Sequence, residues 1–233
     1  MTDVVPGEPS LLTSRRARVA ATVLAALAVV HLIAQLAGVE EVADPTQWLL
    51  MPALAATLWC TTAAPRSRLV RLVLVALGFS WVGDTLPDLF TGDTAFLAMV
   101  GGFLCAQVVY VVAFWPSWRE SVLRRPPMLA IYVALAVVLV ALCLPGAPGV
   151  LAAAVVVYAV LLTMMAVLAT GVHRLAWLGG LLFLFSDAMI ALGAFADVVP
   201  PMSGFWIMAT YVLGQVLIVA GVVARQPTVR ALA

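Results

Sequence analysis

Two aspartates stand in stretches where a carboxyl group is out of place. Asp84 lies in GFSWVGDTLPDLFTGD, which runs from Gly78 to Asp93, and Asp187 lies in LFLFSDAMIALG. Each follows a Phe-Ser pair within an otherwise apolar run. On an insertion scale an aspartate at a helix centre costs about 2.5–3.5 kcal/mol, so two cost roughly 5–7 kcal/mol, and such groups normally mark function. Two carboxyls in an apolar cavity can supply a carboxylic acid and a carboxylate to one reaction. The structural alternative is that each is protonated and bonds a neighbouring helix as glue.

Other polar residues accompany the pair. Ser80, Asp84 and Asp88 are spaced i, i+4 and i+8 and so share a helix face, with Pro87 expected to end or kink the helix. Gly180, Asp187, Ala191 and Ala194 make the face around the second acid small, which permits close approach. Gln107 and Tyr110, and Tyr211 and Gln215, are at i, i+3 and i, i+4 spacing and are candidates to line the same cavity. For Ser80 and Ser186, bonding back to their own helix is the simpler reading. His31 is followed one turn later by Gln35 and reads either as a third ionisable group of the site or as a neutral packing residue. His173 beside Arg174 reads as interfacial, and Asp88 and Asp93 as solvated loop acids. Trp48, Trp115, Trp118 and Trp206 read as interfacial anchors.

The elements that must carry these groups follow from composition. Hydrophobic residues make up 65% of the 233 and charged ones 10%, with a mean hydropathy of +1.15, far from the soluble globular range. The expected class is an all-α integral membrane protein forming one polytopic domain over residues 1–233. Eight stretches approach the ~20 apolar residues that a spanning helix needs: 18–38, 47–64, 69–87, 94–115, 127–144, 149–170, 174–195 and 203–224. Residues 1–17 read as a short cytoplasmic tail. A net charge of +1 gives no basic excess to suggest nucleic acid. Cys60, Cys105 and Cys143 form no CxxC and read as packing residues.

Charge placement tests the count. All 12 basic residues are Arg, and with eight crossings every one falls at a connection or terminus on one side. The opposite connections hold Glu40, Glu41, Asp44, Asp88, Asp93 and Asp197 and no Arg. By the positive-inside rule both termini are cytoplasmic, as in the plasma or inner membrane of a bacterium. Arg71 to Asp84, Arg174 to Asp187 and Arg18 to His31 are each 13 residues, so at 1.5 Å per residue all three groups lie about 20 Å along outward helices. Helices three and four resemble helices seven and eight, a weak sign of two parallel four-helix repeats; chance likeness between apolar helices is the alternative.

LGFSWVGDTLPDLF followed by GGFLCAQVVYVVAF, then LGGLLFLFSDAMIAL followed by MATYVLGQVLIVAG, resemble the YhhN family, whose animal members are lysoplasmalogenases. The likeness covers nearly the whole chain and is sharpest at Gly83-Asp84, Ser186-Asp187 and Tyr211-x-x-x-Gln215. It implies hydrolysis of the vinyl ether bond of a lysoplasmalogen or related lysolipid to a fatty aldehyde and a glycerophospho-base, with Asp84 and Asp187 catalytic and no cofactor or metal. Ser80, Ser186, Gln107, Tyr110, Tyr211, Gln215 and His31 would bind substrate or support the acids. Membrane lipid and the lysophospholipid are then the partners. Two positions depart from the family: Met51, before Pro52, stands where a Lys is common, and Gln107 where a His is common. His31 is a candidate to replace the missing base.

Vinyl ethers hydrolyse by protonation at carbon, giving an oxocarbenium ion that water captures as a hemiacetal. One aspartate would protonate the carbon and the other would stabilise the cation and position water, much as paired carboxylates do in glycoside hydrolysis; the residues do not say which does which. Three rivals use the same acids. A small-solute or proton-coupled transporter would place its site between the repeats, and an inactive relative would bind lipid only. An intramembrane aspartyl protease would want a Gly-x-Gly-Asp, but Trp81 occupies the first glycine position.

Overall fold

The computed structural model describes residues 14–226. The tail expected over residues 1–17 falls largely outside them, as does Arg230. The described residues form eight α-helices: α1 (Arg15–Ala37), α2 (Glu40–Thr61), α3 (Arg68–Thr85), α4 (Gly92–Phe114), α5 (Pro126–Cys143), α6 (Val150–Ala169), α7 (Arg174–Ala196) and α8 (Ser203–Ala224), with short 3-10 turns at several helix ends. Seven are long and apolar enough to cross a membrane, and the chain is a multi-pass membrane protein. An apolar medium offers the backbone no partners, so each crossing segment must satisfy its own N–H and C=O groups as a helix.

Local signals fix several ends. Ser14 caps α1 by accepting from the Ala17 N–H at 3.0 Å, and Gly38 closes it with φ 67. Ser67 caps α3 in the same way. Pro87 ends α3 as expected, since a 3-10 turn over Leu86–Leu89 replaces it. Asp88 therefore leaves the face it was expected to share with Ser80 and Asp84, and instead accepts a 2.7 Å bond from the Trp48 indole.

The second helix departs most from expectation. It begins at Glu40, well before residue 47, and carries Pro45 inside it. Glu40 and Glu41 stand in its first turn, where negative charge meets the positive end of the helix dipole. Asp44, Pro45, Gln47 and Pro52 as well as these glutamates lower its hydropathy, and α2 is the one long helix not among the seven apolar ones. Of the cysteines expected to pack, Cys143 is buried, Cys60 is half-buried and Cys105 is exposed on the outer surface.

Seven helices close a ring in the order α1, α2, α3, α4, α6, α7, α8, and α8 returns to α1 and α2 and touches α3 across the middle. The eighth, α5, stands outside against α6 and α7. Its Ile131, Leu135, Val137 and Val138 are exposed, an apolar surface suited to lipid.

Glycines permit the closest crossings. A Cβ on Gly102 of α4 would lie 2.5 Å from the Gly83 nitrogen of α3, and one on Gly179 of α7 would lie 2.5 Å from the Gly214 carbonyl oxygen of α8. The small face around Asp187 serves α6: a Cβ on Gly180 would meet Ala166 at 3.2 Å. So the two adjacent glycines of α7 face different neighbours.

At one end of the bundle Arg225 ties three segments together. Its guanidinium pairs with Glu120 at 2.9 Å and donates to the carbonyls of Gly171 and Val172 at 2.6 and 2.9 Å. The end of α8 thus meets the α4–α5 connection, which carries Arg119, Arg124 and Arg125, and the α6–α7 turn just before Arg174. Arg225→Ala, which loses every one of these bonds, is expected to lower the melting temperature in detergent more than Glu120→Ala, which loses only the solvated ion pair. The Arg225 guanidinium holds the Glu120 carboxyl below its ordinary range. A carboxyl depressed on folding contributes stability above its unfolded pKa and loses it as pH falls through the folded one. The difference in melting temperature between wild type and Glu120→Ala is therefore small at neutral pH and vanishes in acid.

Candidate functional site

Both aspartates are buried, at 5% and 7% exposure, in helices with almost no other charge. They do not bond to each other. Asp84 accepts a 2.8 Å hydrogen bond from the Tyr211 hydroxyl of α8, and Asp187 accepts one of 2.5 Å from the Tyr158 hydroxyl of α6. Each acid is thus held by a tyrosine from another helix, which fixes its oxygen and satisfies one lone pair.

A second polar cluster lies beside the first. Tyr110 donates to Gln215 Oε1 at 2.6 Å, and Gln215 Nε2 donates to Ser80 Oγ at 3.1 Å. Three helices, α4, α8 and α3, are joined by this chain of bonds. Ser186 Oγ donates to the Ile207 carbonyl of α8 at 2.9 Å. Neither serine bonds back to its own helix, contrary to the simpler reading of the sequence. In a medium without water a hydroxyl that can reach a neighbouring helix serves as interhelical glue.

Of the chain's four tyrosines, Tyr110, Tyr158 and Tyr211 all bond in this interior. Tyr158 was missed by the sequence reading. Its signal was one of only two hydroxyl side chains, with Thr163, in VLAAAVVVYAVLLTMM, an otherwise apolar helix interior.

An apolar cavity of ≈ 70 Å³ lies between α4, α5, α6 and α7, and Asp187 and Tyr158 bring the polar groups to its wall. Phe96, Phe103, Leu139 and Phe195 are among its apolar lining. Past Val140 and Ala159, which line both, a wider apolar groove of ≈ 510 Å³ runs between α5 and α6. Asp84 does not line the cavity. Phe103 packs edge-on against the Tyr211 ring at 5.7 Å, so the partner of Asp84 lies one aromatic layer behind the wall. Phe183 completes that layer, 5.5 Å from Tyr211 and 6.4 Å from Phe103.

His31 is completely buried, and its Nδ1 lies 3.0 Å from the Ala43 carbonyl and 3.1 Å from Thr46 Oγ1, both on α2. These bonds join α1 to α2, and the other ring nitrogen has no partner among the described residues. His31→Ala is therefore expected to lower the melting temperature while leaving turnover by the folded protein near the wild-type rate; loss of turnover without loss of stability would place the ring in the reaction. Met51 packs in the apolar core beside Leu50 and Leu54. Gln107 is buried with neither end of its amide bonded.

The YhhN family model matches residues 42–222. The chain belongs to the YhhN family. The matched region of this YhhN protein begins within α2 and ends within α8, so it holds both aspartates, all three bonded tyrosines and the whole cavity, and leaves out α1 with His31. No curated protein and no solved structure matches the chain.

Proposed function

We propose that this protein is a membrane-embedded hydrolase of the lysoplasmalogenase type, acting on the vinyl ether bond of a lysolipid. The observation that carries the reading is the Asp187 carboxyl, fixed by Tyr158 at the wall of an apolar cavity, with a second buried carboxyl behind it. A chain in the α5–α6 groove would enter that cavity past Val140 and Ala159. In that pose Asp187 meets the vinyl ether and protonates its carbon. Asp84, held by Tyr211, adds negative charge from behind the aromatic layer and favours the oxocarbenium ion.

Eight crossings with both termini cytoplasmic complete the proposal. The meeting of Arg225 with the arginine-bearing α4–α5 connection and with the turn just before Arg174 supports one arginine-rich side. Two parallel four-helix repeats fit the placement of one acid on α3 and one on α7.

Release of fatty aldehyde from a lysoplasmalogen by the purified protein in detergent tests the activity. Stoichiometric aldehyde and glycerophospho-base, absent with the saturated ether analogue, is the expected result. Lipid that stays bound and uncleaved over several headgroups and pH values would sink the hydrolase and leave a lipid-binding protein. Ion-dependent solute uptake into proteoliposomes, with no aldehyde, would make it a transporter.

A further inference from the structure

Gln107 is the side chain that the polar interior leaves unanswered. It lies on α4 one turn after Phe103, which lines the cavity, and three residues before Tyr110. It is completely buried, yet neither Oε1 nor Nε2 has a hydrogen-bond partner. Its neighbours do not share this state, because Tyr110, Gln215 and Ser80 satisfy one another. A buried amide with both ends free is uncommon, and such groups ordinarily hold an ordered water or a ligand atom.

The place is suited to water. Gln107 lies on the face of α4 that brings Phe103 to the cavity, and α4 packs against α6, whose Tyr158 lines the same cavity. The Tyr158 hydroxyl donates a hydrogen bond to Asp187 Oδ2 and keeps acceptor capacity on its oxygen. A water needs two to four polar partners, and an amide, a phenol and a carboxyl supply them. Apolar walls formed by Phe103 and Leu162 close the cavity around this end.

We propose that Gln107, Tyr158 and Asp187 form the seat of the water that attacks the substrate, an inference that rests on the hydrolase reading. Once Asp187 has given its proton to the alkene carbon it is a carboxylate. The bound water donates one hydrogen bond to Gln107 Oε1 and the other to that carboxylate. Its lone pair forms the new carbon–oxygen bond to the oxocarbenium carbon, and the proton it sheds returns to Asp187. The product is a hemiacetal. Its collapse breaks the carbon–oxygen bond to glycerol, whose oxygen takes the hemiacetal proton, and the aldehyde carbonyl forms. One vinyl ether and one water give one aldehyde and one alcohol, with no redox change. Tyr158 is a positioning residue here, since it holds the carboxylate toward the water.

Two measurements on the full chain test this. The first is a lipid-nanodisc structure at a resolution that shows waters. Density within hydrogen-bond distance of the Gln107 amide and of Tyr158 or Asp187, lost in Gln107→Met, is expected; a dry amide in the wild type overturns the proposal. The second is kinetic, on variants with wild-type melting behaviour. Gln107→Met is expected to lower kcat about tenfold or more with KM little changed, as for loss of a group acting on the reacting water. Gln107→Glu, which keeps an acceptor at the same reach, is expected to recover part of the rate. Unchanged kcat in Gln107→Met overturns the proposal. Where Gln107→Met does not fold, the wild-type density decides. A wild type that releases no aldehyde removes the hydrolase reading, and the density then decides alone whether the water seat exists.

Discussion

Asp187→Asn is expected to cut aldehyde release by roughly 10²–10⁴-fold, the range for loss of a general acid, while the protein stays folded. The amide is isosteric and still offers Tyr158 an oxygen acceptor at the position where the carboxyl now accepts at 2.5 Å. It also removes an ionisable group from an apolar interior, so the melting temperature should hold or rise. Under the proposed mechanism Asp84→Asn is expected to cost less, at most about 10²-fold, because there Asp84 would act as charge and not as the proton donor. Its partner Tyr211 lies behind Phe103, and Asp84 itself is off the cavity wall. The comparison is made on aldehyde release at saturating lysolipid with both variants matched for folding. An Asp84→Asn loss equal to or larger than that of Asp187→Asn would reverse the assignment, and full activity in Asp187→Asn would remove it.

The second large effect is structural. Gly102→Ala is expected to destabilise the protein by about 1–3 kcal/mol or more, the cost of forcing atoms into a packed interface. Its Cβ would lie 2.5 Å from Gly83 N and 2.6 Å from Gly83 Cα, both backbone atoms that cannot rotate away. The helices must then separate, and between membrane helices van der Waals packing is a principal attraction. Gly101→Ala is the control, since a Cβ there meets nothing within 4 Å and alanine favours the helix. Thermal unfolding in detergent should show Gly102→Ala well below wild type and Gly101→Ala at or above it. Activity should fall in parallel, because Gly83 adjoins Asp84 and any displacement of α3 moves the acid. Equal melting temperatures for the two variants would show that α3 and α4 do not cross at these glycines.

Several features of the site were legible in the residues themselves. Asp84 and Asp187 announced themselves because a carboxyl in an apolar helix is costly wherever it faces. Tyr211, Gln215, Tyr110 and Ser80 were legible as a polar set, and all four bond in the interior. Their pairing was not. Spacing along one helix placed Tyr211 and Gln215 together, but it is α3 that separates their duties, with Asp84 taking the tyrosine and Ser80 the glutamine. Tyr158 was passed over because a lone tyrosine among valines and alanines has no local partner to give it meaning.

What the sequence by itself determined is the set of helices, for a physical reason: a segment in lipid must satisfy its own backbone, so length and composition decide it locally. The last helix, Ser203–Ala224, matches its expected span, and most of the others differ by a residue or two. Where charge entered a helix, as in the acidic first turn of α2, composition misplaced the boundary. What only the tertiary structure decided is which way each side chain faces. These helices are apolar nearly all round, because lipid and protein interior are equally apolar, so no stripe marks the inner face. Facing is set instead by where glycines let backbones approach and where polar groups find one another across helices. That is how Gly179 came to serve α8 while Gly180 serves α6, and how Asp187 came to the cavity while Asp84 stands behind it.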